Sequence, residues 1–213
     1  LAETNAQRNP RALDPAILIG NYRLMLRDPL YLGYALTVAF SYSTIFSFIS
    51  GLSFVLIGVL GVPEEYFGFC FAAVVLGFMS GALAAGRLTL RLGGDRLILL
   101  GGTLAALAGT FMAGLVLAGL PSVAGIVGPF ALVMAGIGLI MPNAMAGAIG
   151  PYPQMAGAAS ALMGFLQMGM AALVGIGVGH WHDGTAVPMT ASIAAMTILA
   201  LLSFRFLVLP RRR

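Results

Sequence analysis

Long apolar runs separated by short polar joints dominate this chain. No charged residue occurs from Pro29 to Pro63, from Tyr66 to Gly86, from Leu97 to His182, or from Gly184 to Phe204. A helix crosses a bilayer with about 20 apolar residues. The runs and the breakers between them predict six spans, at about 30–60, 66–86, 97–119, 123–149, 155–179 and 187–208. The first is long enough to tilt or to project from the bilayer. Pro63 suits the first position of the second helix, and Glu64 and Glu65 suit the positive end of its dipole. A tight basic loop should follow, with Gly93, Gly94, Asp95 and Arg96 as its turn. Leu120-Pro121-Ser122 should end the third span, and Gly150-Pro151-Tyr152-Pro153 the fourth, which carries Pro129 and Pro142.

Small residues at intervals of four mark how the helices pack. The second span carries Ala73, Gly77, Gly81 and Ala85, the third Gly101, Ala105, Gly109 and Ala113, and the fifth Ala171, Gly175 and Gly179. Such stripes let a neighbouring backbone approach closely, which matters in lipid, where no hydrophobic drive operates between helices. Gly175, Gly177 and Gly179 follow no strand, so packing rather than nucleotide binding is expected of them.

Composition agrees with this reading. Hydrophobic residues make up 60% of the 213 and charged residues 8%, against roughly 25% charged in a soluble domain. Six spans with short loops leave no room for a soluble domain. The eleven basic residues are all Arg and all fall at alternate joints. They are Arg8, Arg11, Arg23 and Arg27, then Arg87, Arg91 and Arg96, then Arg205 and Arg211 to Arg213. Glu64, Glu65 and Asp183, at the other joints, have no basic neighbour. Cytoplasmic loops collect Arg and Lys, so both ends are expected inside. Topology accounts for the net charge of +4, and nucleic acid is not implied. Cys70 lies in a span and excludes an internal disulfide. Residues 1–28 are polar and mixed in charge, without the apolar core of a signal peptide. The start at Leu1 rather than Met predicts a fragment with its missing part upstream.

No catalytic constellation stands out. Apart from Arg205 at a margin, the predicted spans hold no Asp, Glu, Lys or Arg, which argues against an intramembrane proton relay or protease within this chain. His180 and His182 flank Trp181 beside Asp183. Their spacing suits no single helical face and no third ligand is close. An interfacial loop anchored by Trp181 is favoured over a metal site. Neither cofactor nor metal is expected.

The uncharged polar residues offer more. Tyr42, Phe46, Ser50 and Ser53 fall near one face of the first span. Aromatics and hydroxyls suit a cavity for a partly apolar ligand. The same residues fit a plainer role equally well: hydroxyls bonding their own helix, and rings that pack. Asn143, beside Pro142, and Gln167 are the only amides in the spans. Each needs a partner, and a bond between helices is the favoured role for both.

Six spans, both ends inside and a basic connection after the second span resemble one half of a major facilitator superfamily transporter. The segment Gly86-Arg87-Leu88-Thr89-Leu90-Arg91-Leu92-Gly93-Gly94-Asp95-Arg96 resembles the superfamily's G-x-L-x-D-R-x-G-R-R motif at Gly86, Leu88, Arg91 and Gly93. Leu90 stands where the motif has Asp, as in the degenerate copy of the C-terminal half. Leu1-Ala2-Glu3-Thr4 resembles the L-P-E-T segment after the sixth helix.

Within the superfamily the chain is most similar to the Bcr/CflA group of drug exporters. The carriers are Phe48 to Leu56, Phe67-Gly68, Pro142-Asn143-Ala144, Ala156 to Ala161 and Asp183 to Met189; that group usually has Pro where Ser53 stands.

The resemblance implies an all-α integral membrane fold, the C-terminal six-helix half of a twelve-helix bundle. Residues 1–28 would be the cytoplasmic linker after the sixth helix, and 29–213 the bundle, in a bacterial inner membrane. It implies drug/proton antiport by alternating access, powered by the proton gradient, with an N-terminal six-helix half as partner. A small amphipathic or apolar substrate would meet Tyr42, Phe46, Ser50, Asn143 and Gln167. The loop bearing Gly86, Arg87, Arg91, Gly93, Asp95 and Arg96 would act as a cytoplasmic gate. The coupling acid would lie in the other half. A sugar or metabolite carrier would share this fold but should show a charge-bearing cavity. A non-transport membrane protein would not need the basic motif.

Overall fold

The computed structural model describes residues 15–181 and 183–211. Arg8, Arg11, Leu1 to Thr4, His182, Arg212 and Arg213, which entered the reading above, lie outside the described residues. Among the described residues seven α-helices follow one another: α1 (Pro15–Arg27), α2 (Pro29–Ser53), α3 (Glu64–Leu92), α4 (Gly94–Leu117), α5 (Val123–Ile149), α6 (Ala156–His180) and α7 (Val187–Ser203). α2 runs on as a π-helical turn over Phe54–Val59, and α7 over Phe204–Val208. Six of these helices are long and apolar enough to cross a membrane, so the chain is a multi-pass membrane protein.

The helix ends follow local chemistry. Asp28 caps α2, its Oδ1 accepting from the Leu30 amide at 2.8 Å, with Pro29 in the first turn. Ser122 caps α5 in the same way, accepting from the Gly125 amide at 3.0 Å. α3 and α4 are separated by Gly93 alone, at φ +82°, a conformation that L side chains rarely adopt.

Two expectations need correction. A loop was expected directly after the second span, 66–86, but α3 runs unbroken to Leu92. Charge ends the apolar run at Arg87; nothing between Gly86 and Gly93 breaks a helix. Residues 1–28 were read as a polar linker, yet 15–27 of it is helical. Its apolar side is anchored by the fully buried Met25.

α2 and α5 form the centre. α5 packs against α3 and α4, while α2 packs against α6 and α7; α2 and α5 touch, and so do α4 and α7. Exchanging α2-α3-α4 with α5-α6-α7 leaves this packing scheme unchanged. Internal repeats of this kind build many membrane transport folds, with binding sites near the midplane at the repeat interface. α3 and α6 correspond under the exchange, and they are the least buried of the six. Both therefore turn much of their surface away from this bundle.

The small-residue stripes of α3 and α4 work as expected, with α5 as their neighbour at Gly77, Gly81 and Gly101. A Cβ on Gly77 would lie 2.2 Å from the Ala131 carbonyl oxygen, and one on Gly81 2.0 Å from that of Ala135. Gly101 and Gly136 meet in the same manner between α4 and α5. The stripe in α6 is less used: Gly175 faces Ser50, while Gly179 meets nothing within 4 Å. Aromatic packing supplements the stripes, with Phe48 and Phe130 stacked at 3.7 Å between α2 and α5.

Candidate functional site

Antiparallel passage through short connections gathers the described Arg residues at one end. Contacts between helix termini show this end closing on itself. The Tyr34 hydroxyl near the start of α2 donates to Asp95 Oδ1, in the first turn of α4, at 2.6 Å. A Cβ on Gly33 would strike Val208, at the far end of α7. The start of α6 joins through the Tyr31 hydroxyl, which donates to the Ala159 carbonyl at 2.7 Å.

α2 presents a face of mixed aromatics and hydroxyls. Tyr42 and Phe46 are half-buried, with ring centroids 5.4 Å apart, and Ser50 is exposed one turn further on. Ser50 and Phe46 both lie against Gly175 of α6. A small pocket of about 180 Å³ opens here, lined by Ser50, Phe54, Val178 and Met189. The π-helical turn of α2 begins at Phe54, so one wall of this pocket is irregular helix, as is frequent at functional sites. α2 and α6 run parallel, in register from Tyr31 beside Ala159 to Ser50 beside Gly175. That register sets Gln167, half-buried on α6, at the height of Tyr42. Both are near the middle of their spans.

The plainer role of the hydroxyls is realised on the other faces of α2. Thr37, Ser43, Thr44 and Ser47 each donate to the carbonyl four residues earlier. Ser47 and Ser192 are also within 2.9 Å, tying α2 to α7. Ser41 differs: its hydroxyl is buried and has no hydrogen-bond partner among the described residues.

Asn143 does not join this face. It is six residues from the end of α5, at the Arg-rich end of the bundle. Its Nδ2 donates to the Leu139 carbonyl at 2.9 Å, and its Oδ1 lies 2.9 Å from the Thr89 hydroxyl of α3. A Cβ on Gly94 would meet the same Oδ1 at 3.1 Å. Asn143 thus stands between α3, α4 and α5, where the motif-like segment turns. The sequence does not mark this position as near the end of the span, because apolar residues continue past Asn143 to Ile149 without a charge.

The motif-like segment is mostly helix. Gly86, Arg87 and Arg91 lie on the last turns of α3, Gly93 is the break, and Asp95 and Arg96 begin α4. Arg87, Arg91 and Arg96 are exposed. A cleft of about 650 Å³ sits between this turn and α5, lined by Tyr34, Thr89, Asp95, Arg96, Asn143 and Gly147. Tyr34 lies over Gly147, where a Cβ would be 2.5 Å from its ring. Tyr34 and Thr89 were not singled out as site residues from sequence. Their partners are 61 and 54 residues away, and only the fold brings them together.

A second polar joint holds α1, α2 and the α5–α6 turn. The Tyr152 hydroxyl donates to Asp28 Oδ2, and the Tyr152 ring meets Tyr31 edge-on at 5.7 Å. Burial and the hydrogen bond to the Asp28 carboxylate both push the Tyr152 phenol up from its usual value. At the opposite end, Trp181 is exposed and Asp183 accepts from the Thr185 amide and hydroxyl.

No protein-family model matches the chain. Two curated relatives do. A bicyclomycin resistance protein homolog of Haemophilus influenzae is 28% identical over 215 residues, covering 97% of this chain and 52% of that protein. An MFS-type transporter of Bacillus subtilis, YdgK, is 28% identical over 180 residues, covering 84% of this chain and 44% of that protein. The chain spans about half the length of the curated relatives it matches, consistent with one half of a major facilitator fold.

Proposed function

We propose that this chain, the C-terminal six-helix half of a major facilitator fold, forms one wall of the substrate cavity in a secondary active multidrug exporter. The supporting observation is the uncharged aromatic and hydroxyl face of α2 beside α6, in a chain similar along its length to a bicyclomycin resistance protein homolog. Tyr42, Phe46 and Ser50 offer ring faces and a hydroxyl to an amphipathic or apolar drug, and Gln167 stands at the same depth. Asn143 acts instead in the gate, holding the α3–α4 turn to α5.

The two halves rock about the cavity, opening it to each side in turn. The Arg-rich end faces the cytoplasm of a bacterial inner membrane, following the excess of Arg there. Arg87, Arg91 and Arg96 latch that side closed against the N-terminal half. Drug leaves in exchange for protons, with no cofactor. Among the described residues, acids in the spans stand only in end turns, at Glu64, Glu65 and Asp95. The coupling carboxylate therefore belongs to the N-terminal half.

The experiment is drug export by the whole transporter carrying Tyr42→Ala or Phe46→Ala. Export should fall for some drugs and not others, at unchanged protein level. Wild-type export of every substrate by a variant carrying both Tyr42→Ala and Phe46→Ala would overturn the reading. So would transport of a sugar and no apolar drug.

A further inference from the structure

α1 is the one described α-helix too short to span. With 13 residues it is about 20 Å long. It joins α2 through Asp28 alone, which fixes it at the Arg-rich end of the bundle. Met25 is buried in the core cluster that includes Tyr31 and Phe204, and Tyr22 packs against it. The opposite face carries Arg23 and Arg27, four residues apart and both exposed. Like charges at that spacing repel, and α1 holds no acid to offset them. Large apolar side chains flank the pair: Ile19 is 66% exposed, Leu24 52% and Leu26 44%.

Two hollows share α1 as a wall. One, of about 470 Å³, is lined by Gly20, Arg23, Leu24, Arg27, Asp28 and Tyr152. The Asp28 oxygens there are taken up by the Leu30 amide and the Tyr152 hydroxyl. The other, of about 350 Å³ and almost wholly apolar, lies between Tyr22 and Leu26 of α1 and Ala161, Leu162 and Phe165 of α6. Leu26 is three residues from Arg23, so the cationic and apolar hollows adjoin on the helix surface. The apolar one follows α6 away from the Arg-rich end, toward the middle of the bilayer.

We propose that α1 and the start of α6 form a binding site for an anionic phospholipid. Its phosphate lies between Arg23 and Arg27, and an acyl chain lies along Leu26, Leu162 and Phe165. Basic residues beside exposed apolar side chains at a membrane surface are the chemistry that selects such lipids. The inference needs only the membrane fold and is independent of what is transported.

Native mass spectrometry of the whole protein tests it, after reconstitution in phosphatidylcholine alone or mixed with phosphatidylglycerol. The wild type should retain phosphatidylglycerol preferentially. Arg23→Gln with Arg27→Gln should lower that retention roughly tenfold, and Phe165→Ala should weaken it at unchanged thermal stability. Arg87→Gln should leave it intact. Equal retention by the double variant would overturn the site. Displacement of the lipid by glycerol phosphate in solution would show a site for free phosphates instead.

Discussion

Replacing Gly81 by Ala is the sharpest test of how this bundle is held together. The added methyl would stand 2.0 Å from the Ala135 carbonyl oxygen, 2.8 Å from its carbon and 3.0 Å from its Cα. All three are backbone atoms of α5, so no side chain can rotate away. Relief requires α3 and α5 to part by roughly 1 Å or more, since carbon contacts are comfortable only near 3.5 Å. Parting also loosens the contacts of Gly77 on Ala131 and of Gly138 on Phe78, which belong to the same seam. Overpacking of this kind costs about 1–3 kcal/mol, occasionally more. In a protein of this size that is a fall in Tm of several degrees. Gly114→Ala is the control. Its Cβ meets nothing within 4 Å, and Ala is favoured over Gly in a helix by about 1 kcal/mol. Thermal unfolding of the detergent-purified protein, followed by loss of the monodisperse peak, should show Gly81→Ala well below wild type and Gly114→Ala at or above it. Equal midpoints for the two variants would refute backbone-to-backbone packing of α3 on α5.

Other consequences follow from single groups. Tyr34→Phe removes a buried hydroxyl from a carboxylate and should cost about 1.5–3 kcal/mol, read as a lower Tm; a variant as stable as wild type would deny the Tyr34–Asp95 tie. Ser41→Ala deletes a buried hydroxyl without a partner, so stability should hold or rise, and a clear loss would show that the hydroxyl is satisfied. The raised Tyr152 phenol stays protonated in the folded protein where the unfolded chain has already ionised. Its contribution is thus complete below the ordinary tyrosine value of about 10 and is lost as pH rises above it. Tyr152→Phe should flatten that alkaline fall, and an unchanged profile would contradict the buried contact with Asp28.

Charge and apolar length made much of the fold legible in the sequence. The Arg residues at alternate joints marked which helix ends meet, and intervals of four located the seams at Gly77, Gly81 and Gly101. Helix ends were less legible where charge and structure part company. Arg87 ends the apolar run but not α3, because a charged residue stops a membrane span without stopping a helix. α1 escaped notice because its 13 residues are too few for a span and follow directly on a polar stretch. The arrangement of the candidate residues was legible in part. Tyr42, Phe46 and Ser50 share one helix, where spacing alone sets the face. Asn143 required knowledge of which neighbours crowd the end of α5, and Tyr34 required a partner on α4. A hydrogen bond between single side chains on different helices leaves no local pattern.

The division of labour between two halves is tested most directly by transport into or out of proteoliposomes under an imposed pH gradient. Lipophilic drug flux would be measured for this chain alone and for the chain joined to an N-terminal six-helix half. Proton-driven flux is expected with both halves and none with this chain alone. Sustained proton-driven flux by this chain alone would place the coupling group within it and contradict the account.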